Sequence, residues 1–264
     1  NSNTAVGHDA LANNTTAGQN TAIGRDALKS NTTGYSHTAV GAGALDNQNG
    51  GYHCTAVGVD ALAASTSGVN NTAIGHSALD SVTSGNHNTA VGQGAGHSNQ
   101  TGNSLTVVGQ QCGANCTTSN LTAMGAYAAF NVTSGGQNTA IGDNALRTAT
   151  TAINNVALGT NALYSATSSN NTVIGRYANM LLTTGDQTTS IGANSGYHST
   201  TGTYNINLGG AAPTNATASF QITLGNTGHN NLRCNDTSIS SLSDRRDKTN
   251  IVDLPVGLDF LNTL

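Results

Sequence analysis

Few residues in this chain are of types that do chemistry, and their spacing limits what they could do. Twelve Asp and no Glu are scattered along 264 residues. Acid–base cleavage of a polysaccharide needs a close pair of carboxylates, and Asp9, Asp26 and Asp60 instead recur at one position, two residues after a glycine, which reads as a surface ladder. Cys112-Gly-Ala-Asn-Cys116 holds two thiols across a three-residue gap. A structural zinc site takes four ligands, and no second Cys pair accompanies this one. Cys54 and Cys234 lie too far apart to bridge, whereas a Cys112–Cys116 bond and a bond to a neighbouring chain both stay open in an oxidising setting. Of eight histidines, His8 and His76 share a phase, but four units of strand spacing put them roughly 19 Å apart. The glycine-rich turns lack the Gly-Lys-Ser/Thr that a phosphate loop requires. No metal, no cofactor and no enzymatic turnover are expected.

Composition narrows the class further. Only 8% of residues are charged and 4% aromatic, with 33 Gly against 2 Pro. Disordered chains are rich in charge and proline, so low values of both argue for order. A formal charge of −4, with only Arg25, Lys29, Arg147 and Arg176 as cations before residue 230, offers no basic face to nucleic acid. No apolar run is long enough to span a membrane as a helix, and no signal peptide is seen. The pattern is already running at Asn1-Ser-Asn-Thr4, so the natural N-terminus is expected upstream.

That pattern sets the architecture. Thr-Ala-(Val/Ile)-Gly, or a close variant, recurs with its glycine at 7, 24, 41, 58, 75, 92, 109, 125, 142, 159, 175, 192, 209 and 225. The spacing is 17 or 16 throughout, and Ala usually follows three residues after the glycine, often with Leu behind it. Thr-Ala-Val alternates with period two, and β-branched residues suit a pleated sheet. Each unit therefore predicts one coil: a short strand, a glycine turn, an apolar touch at Ala-Leu and a polar return. The expected fold is all-β, a parallel β-roll or β-solenoid of about fourteen coils whose strands stack about 4.8 Å apart. Val6, Ile23, Val40, Val57, Ile74, Val91, Ile141, Ile174 and Ile191 are the expected core of the repeat, and Gly7, Gly24, Gly41, Gly58, Gly75 and Gly92 the expected φ > 0 turns. Cys112 replaces an inward-looking Ala and should be buried. Each coil has few large apolar groups, so burial of the Ala/Leu face against copies of the same chain is expected to supply further stability.

The units Asn3-Thr-Ala-Val-Gly7, Asn20-Thr-Ala-Ile-Gly24 and Asn71-Thr-Ala-Ile-Gly75 resemble the Asn-Ser-Val-Ala-Ile-Gly repeats of trimeric autotransporter adhesin heads. The resemblance covers roughly 1–228 and implies a left-handed β-roll, three chains side by side, and a surface-exposed binding or spacer role. A period of 16–17 exceeds the usual coil of that family, and the extra length is expected in an exposed loop. The last two units, Ile206-Asn-Leu-Gly209 and Ile222-Thr-Leu-Gly225, lose the Thr-Ala pair and read as a transition or cap.

Past residue 240 the composition changes. Seven charged residues fall in 244–259, and Ser243-Asp-Arg-Arg-Asp-Lys248-Thr-Asn-Ile251, continuing Asp253-Leu-Pro-Val-Gly-Leu-Asp-Phe260-Leu, resembles the opening of the self-cleaving intramolecular chaperone domain of viral tail fibres and endosialidases. That family trimerises its chains and then cuts itself off with a Ser–Lys dyad. The resemblance implies Ser243 as nucleophile and Lys248 as its base, a pairing in which a partly desolvated amine activates a hydroxyl.

Three segments are thus expected: the β-roll repeat domain 1–228, a connector 229–242 and a truncated chaperone-like start 243–264. The function they imply is a non-catalytic trimeric fibre segment of a virus or phage, extracellular or on the virion surface, that contributes to host attachment. Its partners would be its own copies and a host receptor, a glycan being one candidate, with neither nucleic acid nor membrane insertion. The alternative is a cellular surface adhesin or self-assembling filament of the autotransporter-head type. Aligned Thr columns also suit ice binding, although Thr4, Thr21 and Thr38 share a strand face with an aliphatic residue.

Overall fold

The computed structural model describes residues 2–211, 216–226 and 228. These belong to one unit, 1–228. Fourteen strands of three residues each, from Thr4–Val6 to Ile222–Leu224, form one sheet in which every strand is parallel to its neighbours in sequence order. The register joins like to like: Thr4 faces Thr21, Ala5 faces Ala22 and Val6 faces Ile23. The chain is a β-solenoid of about 17 residues per turn, and thirteen strand spacings of about 4.8 Å give a sheet roughly 60 Å long.

Hydrogen bonding between coils continues well outside the strands. Beyond Gly24, Asp26 N–H donates to His8 O at 2.9 Å, Leu28 N–H to Ala44 O at 3.0 Å and Ser30 N–H to Asp46 O at 3.0 Å. Within the coil, Ala27 N–H reaches Gly24 O and Lys29 N–H reaches Asp26 O, both at 3.3 Å. Asp26 and Leu28, the third residues of these two consecutive β-turns, have φ of 59° and 51°. A turn with φ > 0 at that position bends the backbone sharply with one hydrogen bond. Asp and Asn visit this left-handed region readily; Leu does so only where packing holds it there.

The glycine that ends each strand is required twice over. At Gly92 φ is +133°, and a Cβ built there would lie 2.4 Å from Gly109 O of the next coil. The same approach recurs at Gly7, Gly24, Gly41, Gly58 and Gly75, so the six expected turn glycines are turn glycines, and also points of close contact between coils.

The core differs from the expectation in which residues fill it. A three-residue strand turns one side chain inward and two outward. The inward residue is the central Ala (Ala22, Ala39, Ala56, Ala73), fully buried. Val6, Ile23, Val57, Ile74, Ile141, Ile174 and Ile191 are exposed, 58% for Val6 and 40% for Ile74, and Val40 and Val91 are half-buried. They form the outer face of the sheet, not the core. The Ala/Leu pair after the glycine, expected against other chains, instead lines the interior: Ala27, Leu28, Ala44, Leu45, Ala61 and Leu62 are all fully buried. Interior volume is kept nearly constant. Where the Leu column lapses at Gly96 and Gly113, the space is taken by Leu105, Val107 and Leu121; a methyl on Gly96 would meet Leu79 Cδ2 at 2.8 Å and Val107 Cγ2 at 3.4 Å.

Towards the C-terminal coils the same column turns polar. Asn179 replaces the Leu at φ 44°, its Oδ1 accepts from Ser190 Oγ at 2.9 Å, and Asn207 Nδ2 donates to that hydroxyl at 3.0 Å. Asn179 Nδ2 and Asn207 Oδ1 have no partner among the described residues. Replacing a whole buried polar group, with no half left behind, is neutral or stabilising. The triple change Asn179→Leu, Ser190→Ala and Asn207→Ala, which restores the residue types of earlier coils, is expected to raise stability by about 1–2 kcal/mol, read by denaturant unfolding.

Candidate functional site

Two surfaces stand out from this frame. The first is the outer face of the sheet, where two columns of side chains, one mostly Thr and one of Val, Ile, Leu or Met, run along fourteen strands that contain no charged residue. Contiguous apolar surface of this extent marks an interaction site in soluble proteins. The second is the polar return, where the coils carry their remaining chemistry.

Just before each strand runs a buried ladder of side-chain amides. Asn20 Oδ1 accepts from His37 N–H at 2.8 Å while its Nδ2 donates to Gly34 O at 2.9 Å. Asn71 repeats this, accepting from Asn88 N–H at 2.9 Å and donating to Gly85 O at 2.7 Å. Asn138, Asn155, Asn171 and Asn205 continue it. Buried amides satisfied on both ends fix the register of one coil on the next. The role went unread in the sequence, although the signal is present as the Asn that precedes most Thr-Ala pairs.

His37 and Cys54 occupy two rungs of this ladder. His37 Nδ1 accepts from Cys54 N–H at 3.3 Å, and Cys54 Sγ donates to Gly68 O at 3.2 Å. His37 Nε2 has no well-aligned partner, although the Gly50 and Gly51 carbonyls lie nearby. Burial pushes the His37 pKa down to about 4, with a smaller contribution from His53 and an opposing one from the carbonyls. The unfolded chain therefore binds the proton first. Stability is complete above pH 6.5 and falls as pH drops from 6.5 to about 4, by about 3 kcal/mol in all. His37→Asn is expected to abolish this acid dependence while leaving neutral stability in place, read from urea midpoints at pH 7 and pH 4.5.

Three thiols lie among the described residues. Cys54, Cys112 and Cys116 are buried and unpaired. Burial drives Cys112 up to about 12 and Cys116 up to about 11, so neither offers a thiolate to a metal or an electrophile. Cys112 sits buried at its Ala position, as read.

His8, Asp9 and Asp26 bring ligand atoms within 4.8 Å of one another. Those carboxylates are already partnered, Asp26 by Arg25 at 2.6 Å and Lys29 at 3.0 Å, and Asp9 by Lys29 at 3.6 Å. The Lys29 hydrogen bond above all holds the Asp26 carboxyl below its usual range. The recurrent Asp is a turn residue with φ > 0 at Asp9, Asp26 and Asp60, with cations closing the first two. Ser243, Lys248 and Cys234 lie outside the described residues. Comparison with family models, with curated proteins and with solved structures finds no match.

Proposed function

We propose that the chain is a structural segment of a trimeric fibre of a virus or phage, extracellular or on the virion surface, that contributes to host attachment without catalysis. The observation that carries this is the outer face of the sheet: an uncharged strip along all fourteen strands, mostly Thr beside a half-exposed column of Val, Ile, Leu and Met. Covering an aliphatic side chain that is already half buried contributes about 0.5–1 kcal/mol. Over a column of fourteen such residues this exceeds the lower estimates of the association cost, about 4–15 kcal/mol. Three copies that turn these faces towards one axis leave the loops outward for recognition, in keeping with the repeat's resemblance to adhesin heads.

The tail belongs to the same proposal. Its resemblance to the self-cleaving chaperone assigns Ser243 and Lys248 to a single maturation cut after assembly. Ile74→Lys with Ile141→Lys, two charges on the face, is expected to yield folded single chains, while Asn47→Lys on an exposed loop leaves the assembly intact. Separately, full-length gene product run denatured should end at the Ser243 junction, and Ser243→Ala should remain uncut. An assembly indifferent to the face lysines would refute the interface; a cut indifferent to Ser243→Ala would refute the dyad.

A further inference from the structure

One interruption in the repeat makes a site. From Val69 onward a second, shallower ladder runs outside the asparagine one, six residues before the key glycine; the earlier coils hold Gly18, Tyr35 and Tyr52 there and carry no such rung. Along this ladder the backbone N–H of one coil donates to the side-chain oxygen at the same position of the next coil. Val69 N–H reaches Asn86 Oδ1 at 2.9 Å, Asn86 N–H reaches Asn103 Oδ1 at 2.7 Å and Asn103 N–H reaches Ser119 Oγ at 2.9 Å. It resumes further on, with Ile153 N–H on Ser169 Oγ at 3.1 Å and Ser169 N–H on Asp186 Oδ1 at 2.7 Å. Between these stretches the acceptor is lost twice in succession, because the next two positions are Gly136 and Ile153. The Ser119 and Gly136 amides, about 4.8 Å apart on the coil spacing, have no acceptor within the described residues.

The gap coincides with a shortened loop. The coil from Gly109 to Gly125 has 16 residues where its neighbours have 17. The bonds Thr83 N–H to Gln100 O and Thr117 N–H to Thr133 O pair Gln100 with Thr117 in the stack, and Asn103 pairs with Ser119. The missing residue, the counterpart of Thr101, therefore falls between Thr117 and Thr118. The result is an open groove of about 480 Å³ lined by Thr118, Ser119, Thr133, Gly136, Gln137 and Ile153 among others. No charged side chain lines it, and Ile153 is 41% exposed at one wall.

We propose that this groove binds an N-acetylated sugar. In the preceding rungs at Asn86 and Asn103 the amides are met by a carboxamide oxygen, and an acetamido group supplies the same oxygen from a ligand. Its carbonyl accepts from the Ser119 and Gly136 N–H groups, its methyl packs on Ile153, and ring hydroxyls meet Thr118, Thr133 and Gln137. With no cation in its lining, the groove favours a neutral acetamide over a free anion, which would have only the two N–H groups to offset its desolvation. The second short loop, Gly159 to Gly175, shows what closes such a groove: Asp186, the counterpart of Gly136, fills it and binds Ser169 N–H. The inference gives the attachment reading a ligand and rests on that reading only for its purpose.

The test is saturation-transfer NMR on the full chain, with N-acetylglucosamine and N-acetylgalactosamine as probes and glucose as the control. At least one acetylated sugar should show saturable binding, with the acetyl methyl carrying the strongest transfer and glucose giving none. Gly136→Asn restores the rung with the residue found at 86 and 103. At Gly136 φ is not positive, and a Cβ would lie 3.1 Å from Ser119 O, so the neighbour need give only slightly. It should keep the fold and weaken binding about tenfold or more, the worth of the displaced hydrogen bonds; Ile153→Thr should weaken it less. Absence of binding, equal binding of glucose, or binding untouched by Gly136→Asn would each overturn the assignment. Chain mass measured on the same samples separates that failure from failure of the fibre reading.

Discussion

Gly92→Ala is expected to destabilise the solenoid by about 5 kcal/mol, a large effect for a single methyl. Two costs add. The backbone is held at φ +133°, where an L side chain is strained by about 1–3 kcal/mol. The new Cβ would also stand 2.4 Å from Gly109 O, and that oxygen belongs to backbone tied into the coil stack. Neither coil can yield without opening the hydrogen bonds between them. Stability in a solenoid sums over coils and their interfaces, so damage at one interface should divide the array. Calorimetry should then show two transitions, for the coils before and after Gly92, in place of one. Gly50→Ala is the control: its φ is not positive and the nearest atom, Thr33 Oγ1, would be 3.8 Å away, so it should shift the midpoint hardly at all. A Gly92→Ala chain as stable as the parent would mean that the coils do not approach through this glycine.

Asn71→Ala should cost about 4 kcal/mol. The substitution removes a buried amide that accepts from Asn88 N–H and donates to Gly85 O. Both backbone partners stay inside the coil, and each unpaired buried group costs about 1–3 kcal/mol. Asn47→Ala, on an exposed side chain that donates to Ala63 O at 2.9 Å, loses a hydrogen bond of similar length, but water replaces it, so the expected cost is under about 1 kcal/mol. Urea unfolding of the two variants side by side measures the difference. Equal effects would remove the ladder from the list of forces that hold register.

The repeat made the solenoid legible: glycines at near-constant spacing and a Thr-Ala-Val alternation leave little else that such a chain can form. The sidedness of the strand was not legible. In three residues the alternation is the same whichever side is inside, and Val or Ile looks a better core residue than Ala. What decides it is the room within a coil of 17 residues, where backbone on all sides leaves space for Ala in the strand and one Leu opposite. The turns were half legible. Asp, Asn or Gly takes the second position after the glycine in eight coils (Asp9, Asp26, Gly43, Asp60, Gly94, Asn144, Asn161 and Asn194), as a left-handed φ selects, but Ser77, Gln111, Tyr127, Tyr177 and Ala211 hold the same φ without that mark. Leu28 and its equivalents in the same conformation carry no such mark, because packing and not local preference holds them there. The groove at Gly136 could be located only after the hydrogen bonds showed which residue of the 16-residue coil was missing.

The central claim is that the Thr and Val/Ile face is covered by copies of the same chain. Native mass spectrometry of the purified full-length product tests it most directly. The account predicts three chains in one particle, falling to one chain when lysines replace Ile74 and Ile141. A single chain of unmodified protein at micromolar concentration would contradict it and leave that face free for another partner.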